Sequence, residues 1–100
     1  MPQAELNAPA LFDLSHRVAL VTGAGSGIGQ RIAIGLAQSG ADVALLDRRS
    51  DSGLQETADA IATTGQRSIQ ISADVTSGKA MTDAVAQTEA ELGPLRLALN

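Results

Sequence analysis

The 100-residue sequence predicts an α/β fold: a doubly wound parallel sheet with helices on both faces, three αβα layers in all, of which the first four strands are present. Three observations predict it. Short, continuously apolar runs alternate with longer segments of helical period, glycines punctuate the boundaries, and a glycine-rich turn joins the first apolar run to the first helical segment. A strand that is apolar on every residue needs cover on both faces, which a parallel sheet between helix layers provides.

Residues 18–21, Val-Ala-Leu-Val, form the first strand, β1. From Ser26 to about Ser39 runs a helix, α1, in which Ile28, Ile32 and Leu36 recur every four residues beside Ala33 and Ala37, a narrow stripe expected to face the core. Gly40 ends it as a left-handed C-cap. Residues 43–46, Val-Ala-Leu-Leu, form β2, which runs into Asp47-Arg48-Arg49 where the chain emerges at the carboxyl end of the sheet. The next helix, α2, carries Leu54, Ala58 and Ile61 on one face, starts between Ser50 and Ser52, and stops before Gly65. Residues 68–72, Ser-Ile-Gln-Ile-Ser, alternate strictly, the pattern of a half-buried strand near an edge, β3. A third helix, α3, has Met81, Val85 and Leu92 on its apolar side, follows Thr76-Ser77 and halts at Gly93-Pro94. Residues 97–99 open β4.

Crossovers between parallel strands are right-handed in about 98% of cases, so β2 and β3 stack to one side of β1 before the chain crosses to β4. A switch point results between β1 and β4. Open α/β sheets bind ligands in the crevice outside the carboxyl ends of the strands at such a point.

Composition narrows the partners. Hydrophobic residues make up 44% of the chain and charged residues 18%, a globular balance. With a net charge of -4 there is no basic patch for nucleic acid or anionic membrane, so any phosphate has to be held by backbone dipoles. The absence of cysteine excludes disulfides and Cys-based zinc sites, and the one histidine, His16, has no partner at metal-ligand spacing and reads as a turn residue. Residues 1–7 carry Glu5 in place of a basic cluster and no long apolar run follows, so neither a signal peptide nor a transmembrane helix is expected, and the cytoplasm is the default location.

The turn after β1, residues 22–29, reads Thr-Gly-Ala-Gly-Ser-Gly-Ile-Gly. Glycine at 23 permits turn dihedrals, at 27 lets a diphosphate approach the backbone, and at 29 lets helix and strand pack closely. The α1 N-terminus adds about half a positive charge and unpaired N–H donors, which is how an acidic chain can hold a diphosphate. The generic Gly-x-Gly-x-x-Gly spacing is not met, because Ile28 and Gln30 occupy the third glycine places. The pattern is Thr-Gly-x-x-x-Gly-x-Gly. In that form, preceded by Phe12-Asp13-Leu14, the chain resembles the short-chain dehydrogenase/reductase family across residues 12–100, with His16 standing where a glycine is common.

That resemblance implies a Rossmann-type domain, with residues 1–16 as an N-terminal extension and turn and residues 17–100 as a dinucleotide-binding half, incomplete at its C-terminus. Gly23, Ser26, Gly27, Ile28 and Gly29 are then candidate cofactor-binding residues. Asp47 ends β2 eighteen residues beyond Gly29, the register at which a Rossmann acid meets the adenosine ribose. A carboxylate accepts hydrogen bonds from both ribose hydroxyls of NAD, whereas the 2′-phosphate of NADP brings like charges together. At about 4 Å and an effective dielectric near 20, each unit pair costs roughly 4 kcal/mol before screening. NAD is favoured over NADP, although Arg48 or Arg49 paired with that phosphate would offset part of the repulsion.

The resemblance also implies that Asp74 and Val75 hold adenine, against the alternative that Asp74 or Thr76 merely caps α3. Asn100 matches the first residue of the family's Asn-Asn-Ala-Gly segment, where it would border the nicotinamide ribose. The family's Ser and Tyr-x-x-x-Lys pair would lie downstream: the chain has no tyrosine, and its lysine, Lys79, falls on a helix surface. No catalytic residue is therefore expected here, and the chain alone should be inactive. The expected function is an NAD-dependent oxidoreductase acting on a small alcohol, polyol or ketone and assembling as a homo-oligomer, dimer or tetramer. The alternatives are an NADP-dependent ketone or 3-oxoacyl reductase, or a non-catalytic nucleotide-binding module, against which an unpaired β4 edge argues.

Overall fold

The computed structural model describes residues 13–48 and 53–99. Its elements follow in the order β1 (Val18–Thr22), α1 (Gly27–Gln38), β2 (Asp42–Asp47), α2 (Leu54–Ala62), β3 (Ser68–Ser72), α3 (Gly78–Leu92) and β4 (Leu97–Leu99). The strands form one parallel sheet in the order β3-β2-β1-β4, so the switch point lies between β1 and β4 as the topology requires. Its register sets Thr22 beside Leu46, Val21 beside Leu99 and Asp47 beside Ser72, which brings the carboxyl ends of all four strands to one edge.

Two cores flank the sheet, and strand alternation sorts residues between them. Ala19, Val21, Val43 and Leu45 face α1 and α2, packing on Ala33, Ala37, Leu54 and Ile61. Val18, Leu20, Ala44 and Leu46 face α3 on the other side, against Ala84 and Leu92. Burying a Val or Leu side chain is worth about 1.5–3 kcal/mol, so the continuous apolar runs of β1 and β2 are what hold the three layers together. β3, an edge strand, buries only Ile71, which is why its sequence alternates.

Helix α1 departs from the expected stripe. Ala33 and Ala37 are buried and Ile32 and Leu36 half-buried, but Ile28 is 76% exposed. The first turn of α1 overhangs the carboxyl edge of the sheet, where β1 has already ended, so the side chain that continues the stripe has no strand beneath it. Gly40 does terminate the helix, at φ +108°. A Cβ there would stand 2.9 Å from the backbone nitrogen of Ser15, because the turn preceding β1 packs onto this corner. In that turn His16 takes φ +67°, a left-handed conformation that glycine adopts without steric cost.

Helix α2 begins later than expected, at Leu54, with Gly53 at its N-cap in a left-handed conformation; residues 50–52, where the start was expected, lie outside the described residues. Helix α3 is capped by Ser77, whose hydroxyl accepts from the Ala80 amide, and ends at Gly93 with φ +114°. At the amino edge of the sheet Arg67 fastens three elements. Its Nε and Nη2 donate to Asp42 Oδ2 at 3.0 and 2.8 Å, its backbone amide donates to Asp42 Oδ1, and Nη2 reaches the last carbonyl of α3, Leu92 O, at 3.3 Å.

Candidate cofactor site

The glycine turn between β1 and α1 sits at the switch point, and its backbone accounts for the glycine spacing. Gly23 and Gly27 have φ +64° and +57°, a region that disfavours any side chain. At both positions a Cβ would meet nothing within 4 Å, so open space lies before them. Gly29 is different: a Cβ there would overlap the carbonyl oxygen of Gly23. The third glycine is thus needed where the helix folds back over its own turn. Ser26 occupies the α1 N-cap with extended backbone and makes no side-chain cap bond, which leaves the first amides of α1 without a hydroxyl partner. Open glycines before an uncapped, apolar-shouldered helix N-terminus fit a diphosphate.

Asp47 lies half-buried at the end of β2. Its Oδ2 accepts from the Gly25 amide at 3.1 Å and its Oδ1 from the Arg48 amide at 2.8 Å. The acid and the turn are therefore in direct contact. The β2 carbonyls continue the connection: Leu46 O accepts from the Ala24 amide at 3.0 Å, and Asp47 O from the Ala73 amide at 2.9 Å, which draws the β3 exit to the same edge.

Asp74 and Val75 follow there, both exposed. Asp74 Oδ1 accepts from the Thr76 hydroxyl at 2.6 Å and the Thr76 amide at 2.9 Å, and these bonds hold its carboxyl below the usual range, with Arg48 adding a smaller pull. The cap of α3 is Ser77, so neither Asp74 nor Thr76 is occupied by that task. Asn100 lies outside the described residues, as does Arg49. The adjoining Leu99 carbonyl accepts from Thr22 Oγ1 at 3.5 Å across the switch point.

Three residues that the glycine motif does not mark also build the site. Thr57 of α2 is fully buried, and its hydroxyl donates to Ala24 O at 2.8 Å. Gln30 Nε2 donates to Thr57 Oγ1 at 2.9 Å. A Cβ on Gly53 would overlap Gly25 O, so the start of α2 presses directly on the turn. Thr57 was legible as a core position, since it falls three residues after Leu54 and four before Ile61 on the apolar face; its bond to the turn had no sequence signal. Among the described residues no group of three or more His, Cys, Asp or Glu could hold a metal, and no helix is long and apolar enough to cross a membrane. Lys79 is exposed on α3 and paired with Asp83 at 2.9 Å.

A parallel sheet with a glycine turn at its switch point and an acid at the end of the neighbouring strand is the arrangement of the nucleotide-binding α/β class. Residues 17–100 match the short chain dehydrogenase family, and the chain belongs to it. It is 39% identical over 95 residues to gluconate 5-dehydrogenase of Gluconobacter oxydans, covering 95% of this chain and 37% of that protein. A short-chain type dehydrogenase/reductase from Mycobacterium marinum superposes with TM-score 0.83 at 43% identity over 89% of this chain and 36% of that one. Carveol dehydrogenase from Mycobacterium avium, solved in complex with NAD, superposes with TM-score 0.80 at 29% identity over 86% of this chain and 35% of that one. The chain spans 24 to 37% of the length of the curated relatives it matches.

Proposed function

We propose that these residues are the cofactor-binding part of an NAD-dependent oxidoreductase that moves a hydride between a secondary alcohol or polyol and NAD. The observation that carries the reading is the Asp47 carboxylate held 3.1 Å from the Gly25 amide, at the end of β2 and beside the open glycine turn. In this reading the amides of Ser26, Gly27, Ile28 and Gly29 take the diphosphate, with Gly23 shaping the turn. Ile28, 76% exposed at the first turn of α1, would offer the bound cofactor an apolar neighbour. Asp47 accepts the ribose hydroxyls, Asp74 accepts from the adenine amino group, the Val75 backbone reads the ring, and Asn100 borders the nicotinamide ribose.

When bound, the nicotinamide supplies the hydride acceptor or donor. The chain's own contribution is to bind and orient: helix-terminal amides neutralise the diphosphate, and two carboxylates fix the adenosine end. No tyrosine is present among these 100 residues and Lys79 is paired with Asp83 on the exposed face of α3, so none of them is assigned to the substrate's proton. We infer that the 100 residues alone are inactive, and that the whole protein is a homo-oligomer, dimer or tetramer, of the cytoplasm. NAD-bound carveol dehydrogenase and gluconate 5-dehydrogenase support the cofactor and the alcohol or polyol class.

Titration calorimetry of the protein with NADH and NADPH tests the reading. Tighter binding of NADH is expected. Tighter binding of NADPH would transfer the assignment to an NADP-dependent reductase with the exposed Arg48 on the 2′-phosphate, and binding of neither would end it.

A further inference from the structure

Two threonines are fully buried among the described residues, Thr57 in α2 and Thr88 in α3, and they use their hydroxyls differently. Thr88 donates back to Ala84 O of its own helix at 2.8 Å, the local outlet open to a helical threonine. Thr57 has the same kind of outlet, Gly53 O at 3.2 Å, but its nearest acceptor is Ala24 O in the glycine turn at 2.8 Å. A hydroxyl has one hydrogen to give. The shorter bond across to the turn takes it, while Gln30 Nε2 donates into the oxygen at 2.9 Å.

Ala24 C=O and Gly25 N–H are the two ends of one peptide unit. Its carbonyl accepts from Thr57 and its amide donates to Asp47 Oδ2. One peptide plane of the turn is thus gripped from opposite ends, by a helix hydroxyl and a strand carboxylate. Hydrogen bonds in such a chain polarise one another, so a carbonyl that accepts makes its amide a better donor.

We propose that Thr57 is a positioning residue for the cofactor: through the Ala24–Gly25 peptide it sets the orientation of the Asp47 carboxylate. The proposal rests on the cofactor reading above. Without the hydroxyl, the Ala24 carbonyl loses its buried partner, the plane can rotate, and Asp47 loses the geometry of the donor that aligns it.

The test compares three variants of the protein by calorimetric titration with NADH, with the thermal midpoint of each followed alongside. Thr57→Val keeps shape and removes the hydroxyl, Thr57→Ser keeps the hydroxyl, and Thr88→Val removes an equally buried hydroxyl elsewhere. Thr57→Val is expected to weaken NADH about tenfold, Thr57→Ser by no more than about threefold, and Thr88→Val by no more than about twofold. In an Asp47→Ala background Thr57→Val should cost no more than about twofold, because the route runs through Asp47. In cofactor-free protein, hydrogen exchange at the Gly25 amide should quicken in Thr57→Val and not in Thr88→Val. Unchanged NADH affinity in Thr57→Val, equal weakening in Thr88→Val, or an undiminished loss in the Asp47→Ala background would overturn the proposal. If Thr57→Val does not fold, Gln30→Leu replaces it, with about threefold weaker NADH and faster Gly25 exchange expected and no change in either overturning the proposal. A wild-type protein that binds neither NADH nor NADPH would instead overturn the cofactor reading, and the exchange rates at Gly25 would still judge the peptide clamp.

Discussion

The α-carbon of Gly29 faces the carbonyl oxygen of Gly23 so closely that a Cβ would overlap it. Gly29→Ala must therefore push α1 away from its own turn, and the account expects a clear drop in thermal midpoint together with at least tenfold weaker NADH binding. Gly35, in the same helix, has nothing within 4 Å of its Cβ position and no left-handed φ. Gly35→Ala should stabilise the protein by about 0.5–1 kcal/mol in denaturant unfolding and leave NADH affinity unchanged.

Ile28 separates a surface role from a core role. At 76% exposure, Ile28→Ser should change unfolding free energy by no more than about 0.5 kcal/mol. Leu20, with no exposure, should cost about 2–5 kcal/mol as Leu20→Ala. Denaturant melts of the two variants check the contrast, and a loss of several kcal/mol at Ile28 would return it to the core stripe.

Arg67 and Asp42 act at the opposite end of the sheet from the site. Their side chains are 61% and 17% exposed, so solvent and salt screen the pair despite its short bonds. Arg67→Gln is expected to cost about 1 kcal/mol at low ionic strength, less at high salt, with NADH affinity intact. Melts at two salt concentrations would reveal it.

Asp74 gives a pH signature. Its carboxyl lies below the ordinary value of 3.8, first because the Thr76 hydroxyl donates to it and then because the Thr76 amide does. A depressed acid contributes stability that is present above its unfolded pKa and lost as pH falls through the folded one. The window is thus below 3.8. Thr76→Val should raise the Asp74 midpoint, followed by NMR titration, towards 3.8.

Strand and helix order and the sheet order were legible in the sequence, because continuous apolar runs and helical periods report burial directly. Burial failed as a guide most plainly at the edge, where Ile28 continues the α1 period but lies beyond the end of β1, and it was shifted within α3, where Ala84 and Thr88 are buried and Met81 and Val85 only partly so. The α2 start at Leu54 has its own reason: Gly53 takes the N-cap in a left-handed conformation, which the helical period does not report. The clamp on the Ala24–Gly25 peptide was invisible for a third. Hydrogen bonds between Thr57 and a residue 33 positions away depend on how α2 is laid against the turn, and no local pattern encodes that.

Asp47→Ala is the variant on which the account turns, because the carboxylate is assigned both the ribose hydroxyls and the exclusion of a 2′-phosphate. Calorimetric titration of the wild-type and variant proteins with NADH and NADPH should show NADH weakened by about tenfold or more and NADPH strengthened, so that the preference narrows or reverses. Equal weakening of both cofactors would contradict the account, leaving Asp47 as a brace for the glycine turn with no part in choosing between them.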